Sequence, residues 1–277
     1  MLRKITEKVY ADTRAGRGGN VGIIILEDGV IAVDAGYPAT AREFRRNIQS
    51  ITSKPITHLI LTHYHIDHVF GCQEFKDCKI IAHRKLKEKI EENLKGVWSP
   101  EGLKNIIERI KLERPESLWL YEGLREIIIP QETFDEKYLL NNIEIMNTGG
   151  HTEDSSIVYV KDEKLIFIGD LIFSQAFPWG GDPTANPDKW IKALKMILKM
   201  NIEKIIPGHG PVCEKEEASR YIEFMEKVKE TIKKLSKEGL EKEEVIKELN
   251  NIEFYQPLRP EMKRGTLEHW YNFWTKN

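Results

Sequence analysis

The segment Thr62-His63-Tyr64-His65-Ile66-Asp67-His68 places three imidazoles and a carboxylate within six positions. Neutral imidazole and carboxylate are common side-chain donors to zinc and neighbouring transition metals. Three further candidates stand in glycine-marked settings: His151 in Thr148-Gly149-Gly150-His151-Thr152, Asp170 in Gly169-Asp170, and His209 in Pro207-Gly208-His209-Gly210-Pro211. A single histidine would more simply be a surface or hydrogen-bonded core residue. Seven candidates together exceed the three or four protein ligands of one tetrahedral zinc, and they fit two metals sharing a bridging carboxylate.

The elements that would carry these residues can be read from the surrounding pattern. His58-Leu59-Ile60-Leu61 reads as a short buried strand, so the histidine-rich segment lies where a strand ends in a loop. In an extended segment residues two apart point the same way, which lets His63 and His65 grip one metal. A turn into a helix would then swing Asp67 and His68 towards a second. Upstream, Gly22–Glu27 and Gly29–Asp34 are apolar runs split by Asp28-Gly29, a hairpin signal. A helix is expected over 39–51, with strands at 57–61 and 79–82. The rhythm then repeats: strands at 143–146, 157–160 and 164–168, a helix opened by Asn186-Pro187, and a strand at 202–207. Trp190, Ala193, Leu194, Ile197 and Leu198 share one face of that helix, so Trp190 is expected in the core.

With these motifs in order, the chain resembles the metallo-β-lactamase-fold hydrolase superfamily along nearly its whole length. Val33-Asp34-Ala35-Gly36 resembles that family's first motif and Thr62 to His68 its second. Gly150-His151-Thr152, Gly169-Asp170 and Pro207-Gly208-His209-Gly210 resemble the third, fourth and fifth. The resemblance implies an α/β, four-layered αββα sandwich with metals at one edge. It implies that His63, His65 and His151 hold one metal, that Asp67, His68 and His209 hold the other, and that Asp170 bridges them. Asp34 would orient a ligand. Asp67 and Asp170 are thus the expected catalytic carboxylates.

Two divalent cations that share one water lower its pKa towards neutrality, which supplies a bridging hydroxide without a side-chain nucleophile. The expected reaction is hydrolysis of a small ester, thioester or lactone. Zinc is the first expectation for the metal, with iron or manganese as alternatives. His65 stands where a carboxylate would mark the family's diiron flavoprotein branch. Asp170 stands where a cysteine would mark one branch of true β-lactamases. Two other reactions remain open: sulfur dioxygenation at a single iron, and phosphodiester or nucleic-acid cleavage at the same pair.

Composition narrows the partners. The 277 residues are 40% hydrophobic, enough for a sizeable core, and the formal net charge of −2 sets up no field favouring nucleic acid or anionic membrane. A small-molecule substrate is expected, with no nucleic acid or membrane partner and a homodimer as an open option. Cys72, Cys78 and Cys213 form no Cys-x-x-Cys pair and read as reduced packing residues. No secretory signal or membrane-length apolar run is visible, so the cytoplasm is the expected compartment.

One metallo-β-lactamase-like domain is expected over 1–277, with two additions. Residues 84–126 form a helical insertion between the halves, whose Leu118-Trp119-Leu120-Tyr121 cluster would be a lid, a dimer face or ordinary packing. Residues 214–277 form a helical C-terminal extension packed on the sandwich. Phe173 and Trp179, close after Asp170, are candidates for an apolar substrate-binding wall. Arg14 to Asn20 forms a glycine-rich loop, either an ordinary turn or a grip for an anionic group.

Overall fold

A computed structural model describes residues 1–276; Asn277, the last residue of the expected tail, lies outside the described residues. The chain opens with β1 (Arg3–Lys4), β2 (Val9–Asp12), β3 (Val21–Ile25) and β4 (Val30–Val33). Helix α1 (Pro38–Ile51), β5 (Ile56–Ile60), the short α2 (Ile66–Val69) and β6 (Lys79–His83) follow. Next come α3 (Arg84–Leu94), α4 (Pro100–Glu113), a 3-10 turn over Pro115–Tyr121, and β7 (Glu132–Phe134). The second half holds β8 (Lys137–Leu140), β9 (Ile143–Asn147), β10 (Ser156–Val160), β11 (Leu165–Phe167), α5 (Pro187–Lys199) and β12 (Lys204–Ile206). Helices α6 (Lys215–Lys237), α7 (Lys242–Asn250) and α8 (Pro260–Lys276) close the chain.

The strands form a seven-stranded sheet ordered β1 to β7 and a five-stranded sheet ordered β12-β11-β10-β9-β8. The expected hairpin is present, with Ile25 opposite Val30 and Leu26 N–H bonded to Gly29 O at 2.8 Å. Strands β4, β5, β6 and β7 run parallel, and β11 runs parallel to β12. Parallel strands are covered on both faces, which explains the continuous apolar runs of β4 and β11.

Side-chain alternation sorts the strands into layers. Ile24, Ile31 and Ile60 meet Ile145, Val158 and Phe167 between the two sheets. Their neighbours Ile23, Ala32 and Leu59 face outward onto Phe44 and Ile48 of α1 and Leu86 and Ile90 of α3. On the other side Ile157, Ile166 and Ile205 meet Trp190 and Leu194 of α5 and Tyr221 and Met225 of α6. The result is the four-layered αββα sandwich. Leu120 and Tyr121 are buried against the α1 layer, while Trp119 stays partly exposed. In the tail, Leu249, Leu267 and Trp270 join the α5–α6 cluster. Trp190 is fully buried, in the core as its helical position predicts.

Local chemistry sets the helix starts. Asn186 caps α5 by accepting from Lys189 N–H at 2.9 Å, and Pro187 supplies a preset φ at the first helical position. Ser99 caps α4 through Gly102 N–H, again with proline next. Among the described residues no helix is long and apolar enough to cross a membrane.

Candidate metal centre

The seven candidate ligands sit at one edge of the sandwich, because the strands that carry them finish there. His63 follows β5, His151 follows β9, Asp170 follows β11, and His209 follows β12. Backbone bonds stitch these ends together. Ser156 N–H donates to Thr62 O across the two sheets at 2.9 Å, and Gly208 N–H donates to Gly169 O at 2.6 Å. Asn20 adds its amide to Pro207 O and Gly210 O at 2.8 and 2.9 Å, which ties the Arg14–Asn20 loop to the His209 turn. Two close approaches need glycine: a Cβ on Gly208 would stand 1.9 Å from Asp170 Oδ1, and one on Gly19 2.4 Å from the His68 ring.

Two groups of ligand atoms result. His63, His65, His151 and Asp170 form one; Asp67, His68 and His209 form the other, with the atoms of each group within 4.8 Å of one another. Asp170 stands between them. Its carboxylate lies 3.6 Å from His63 Nε2, 3.5 Å from His151 Nε2, 3.4 Å from His209 Nε2 and 3.2 Å from His68 Nε2. Asp67 lies 3.3 Å from His209 Nε2.

Hydrogen bonds on the far side of each ring set which nitrogen faces inward. Asp34 leaves β4 at φ 56°, a left-handed conformation uncommon for aspartate. From there it accepts Thr62 N–H, Thr62 Oγ1–H and His68 Nδ1–H, each at 2.8 Å. With its proton committed to Asp34, Thr62 Oγ1 accepts from His63 Nδ1 at 3.0 Å. His151 Nδ1 donates to Trp179 O at 2.9 Å, and a carbonyl can only accept. His65 Nε2 donates to Asp182 at 3.1 Å. Partner chemistry therefore assigns bare lone pairs to His63 Nε2, His151 Nε2 and His65 Nδ1. His209 is held by stacking on Phe173, with centroids 4.9 Å apart and planes 3° from parallel.

This donor set fits a cation. His151 Nε2 and His65 Nδ1 face each other at 2.9 Å, so two lone pairs would repel unless a positive charge lies with them. His63 Nε2, His68 Nε2 and Asp170 Oδ1 are buried and make no hydrogen bond within the protein. Buried polar atoms are normally paired, and these three, gathered around the Asp170 carboxylate between the two groups, are what ligation would satisfy.

Electrostatics divide along the same lines. Burial holds His151 well below the ordinary imidazole value and lowers His63 to about 3, keeping both neutral. For His68 and His209 burial opposes charging, but the nearby carboxylates prevail. His68 is raised well above its usual value by Asp170 and Asp34, and His209 is raised to about 9 by Asp170 and Asp67. Burial likewise works against Asp67 and Asp170, yet the surrounding imidazoles hold both below the usual carboxylate range.

The remaining candidates take different positions. Phe173 was expected at a pocket wall, but it is 1% exposed and backs the His209 ring from the protein side. The reason is geometric: an isolated bridge pairs Phe173 with His209, and Phe173 itself is buried in the α5–α6 core. Trp179 is half-buried, 4.9 Å from the His65 ring and 5.6 Å from the His151 ring, so it flanks the site. In the Arg14–Asn20 loop both arginines are engaged by Asp12 and Glu43, which leaves that loop a pinned turn.

Sequence reading missed Asp182. It is 2% exposed and accepts from His65, from Tyr64 OH, and from Thr184 N and Oγ1 at 2.7 and 2.6 Å. Burial opposes its ionisation, but these bonds hold it well below the usual carboxylate range. Nothing local signals the role, because Asp-Pro after two glycines reads as an ordinary turn.

The chain is similar to several known proteins. A relative named "Beta-lactamase-like protein 2 homolog" from Caenorhabditis elegans is 26% identical over 213 residues, covering 75% of this chain and 62% of its own length. The chain thus spans less than two thirds of that relative. A "Probable metallo-hydrolase" of Streptococcus pyogenes serotype M6 is 26% identical over 235 residues, 78% of this chain and 91% of the relative. The crystal structure of the DIM-1 metallo-beta-lactamase superposes with a TM-score of 0.62 at 18% identity, over 82% of this chain and 97% of that one. The family model of the metallo-beta-lactamase superfamily matches residues 14–209, a span running from the pinned glycine loop to the last candidate ligand, and the chain belongs to that superfamily.

Proposed function

We propose that this chain is a dinuclear metal-dependent hydrolase of small esters, thioesters or lactones. The supporting observation is the convergence on Asp170. Four imidazole nitrogens from two groups lie 3.2 to 3.6 Å from its carboxylate, and Oδ1 makes no hydrogen bond within the protein. His63, His65 and His151 would hold one ion, Asp67, His68 and His209 a second, and Asp170 both. Divalent cations bound there, zinc first and iron or manganese otherwise, would polarise a substrate oxygen and bring a water's pKa towards neutrality.

The chain's own part is positioning. Asp34 and Thr62 hold His68 and His63, Asp182 holds His65, and the Trp179 carbonyl holds His151. The rigid strand ends beneath them keep those lone pairs aimed at fixed points. Tyr64 donates its hydroxyl to Asp182; burial, with that carboxylate beside it, pushes the phenol's pKa up, so it acts as a fixed donor. The near-neutral chain supports a small-molecule substrate over nucleic acid.

The test is elemental mass spectrometry on protein purified without added metal or chelator, paired with an ester, thioester and lactone screen. About two metals per chain with turnover is expected, and Asp170→Ala should lose both turnover and metal. One iron per chain with oxygen consumption on sulfur substrates would replace this reading with the dioxygenase.

A further inference from the structure

A cavity of about 750 Å³ opens beside the metal centre, between the turn after α3, helix α4 and the Pro115–Tyr121 turn. That volume lies within the range of small-molecule pockets. It reaches the ligand loop through Ile66, the residue between His65 and Asp67. Trp98, Ile106 and Ile110 line it with apolar surface, and Arg109 and Arg114 line it with charge.

Among the described residues neither guanidinium has an ion-pair or hydrogen-bond partner. Other arginines near the site are engaged: Arg14 and Arg17 by Asp12 and Glu43, and Arg45 by Asp77. Glu101 also lines the cavity but closes on neither arginine, so the lining carries two cations against one anion. Arg114 shares the cavity lining with Tyr121 and Ile66. Its charge acts on Tyr37 and Tyr121, whose phenols also feel Asp67, and those two rings pack with centroids 4.9 Å apart. A planar guanidinium beside apolar surface suits a carboxylate or similar oxyanion, which it binds through paired N–H donors.

We propose that this cavity recognises an organic anion: the substrate carries a negatively charged group held by Arg109 and Arg114, attached to an apolar chain packed on Trp98, Ile106 and Ile110. This deepens the hydrolase reading and rests on it for the word substrate. The implied class is an ester or thioester bearing an acidic group some bonds away from the one cleaved.

Calorimetric titration of the metal-loaded full chain with octanoate and with its neutral counterpart octanamide tests this directly. Wild type should bind octanoate about tenfold or more tightly than octanamide. In Arg109→Gln/Arg114→Gln the preference should shrink to about twofold or less, while Arg109→Lys/Arg114→Lys keeps most of it. Each single glutamine variant should lose part of the preference, which keeps the test available if the double variant is unstable. Equal affinities in wild type, or no binding of either probe, would overturn the proposal. So would a preference that survives in the glutamine variant, because the anion would then sit on the metals. Turnover plays no part in this readout: a preference without any hydrolysis would leave the anion site standing and remove the hydrolase reading.

Discussion

Replacing Asp182 with asparagine separates the role of a supporting residue from that of a ligand. The carboxylate accepts on both oxygens: Oδ2 from His65 Nε2 and Tyr64 OH, Oδ1 from Thr184 N and Oγ1. An amide of the same shape has one acceptor and one donor, so it satisfies one side and sets an NH2 against donors on the other. With its oxygen kept on Thr184, the NH2 faces His65. The imidazole then moves its proton to Nδ1, the nitrogen that faces His151 Nε2 at 2.9 Å. The first metal group loses a lone pair while its backbone stays in place. Loss of such an orienting partner costs about 10- to 100-fold in metal affinity, or about 1.4–2.7 kcal/mol.

The effect should be confined to one ion. His68 is held by Asp34 and His209 by Phe173, and neither support involves Asp182. Titration with a chromogenic chelator, with metal content followed per chain, should show one ion released about 10- to 100-fold more readily and the other unchanged. Asp182→Ala should weaken the same ion and also lower the melting temperature, because it frees the Thr184 donors. Equal weakening of both ions, or an unaltered release curve, would refute the assignment of Asp182 to the His65 side.

Two further outcomes follow from separate networks. Asp34→Ala leaves Thr62 N–H, Thr62 Oγ1–H and His68 Nδ1–H without their acceptor in a buried setting, and should cost about 2–4 kcal/mol in denaturant unfolding together with loss of the ion on the His68 side. Glu43 is held below its usual pKa by the Arg14 hydrogen bond and the Arg17 charge. Its contribution to stability is therefore complete above the unfolded value near 4.5 and is lost as pH falls through the lower folded value. Wild type and Glu43→Gln should differ in melting temperature at neutral pH and converge in acid; a gap that widens in acid would reverse the sign of the linkage.

The clustering of the candidate ligands was legible in the sequence because its members are dense and stand at strand ends. The residues that orient them were legible only where a motif included them. Asp34 was identifiable as the end of an apolar run, whereas Asp182 acts across a loop, touching Tyr64 and His65 some 117 residues upstream. No periodicity reports a contact of that kind. Strands β1, β2, β7 and β8 are not legible because they are short and, unlike the equally short β4 and β11, are not continuous apolar runs. Phe173 shows the complementary limit: nearness to Asp170 in sequence places it by the site but does not say which side of the ligands it occupies. Its stacking on His209 is set by the bridge between their backbones.

Arg109 and Arg114 follow the same logic from the opposite direction. Arg109 lies in the strongly charged helix α4 and Arg114 just past its end, where each reads as solvated surface with no nearby sequence feature to distinguish it. What distinguishes them is the company that tertiary structure provides, a buried tryptophan and the rim of a metal centre. The candidate ligands and the fold point to a reaction class and no further, because one fold hosts many chemistries. Selectivity has to come from groups that touch the rest of the substrate. In the proposed anion site those groups are Arg109 and Arg114, beside Trp98, Ile106 and Ile110.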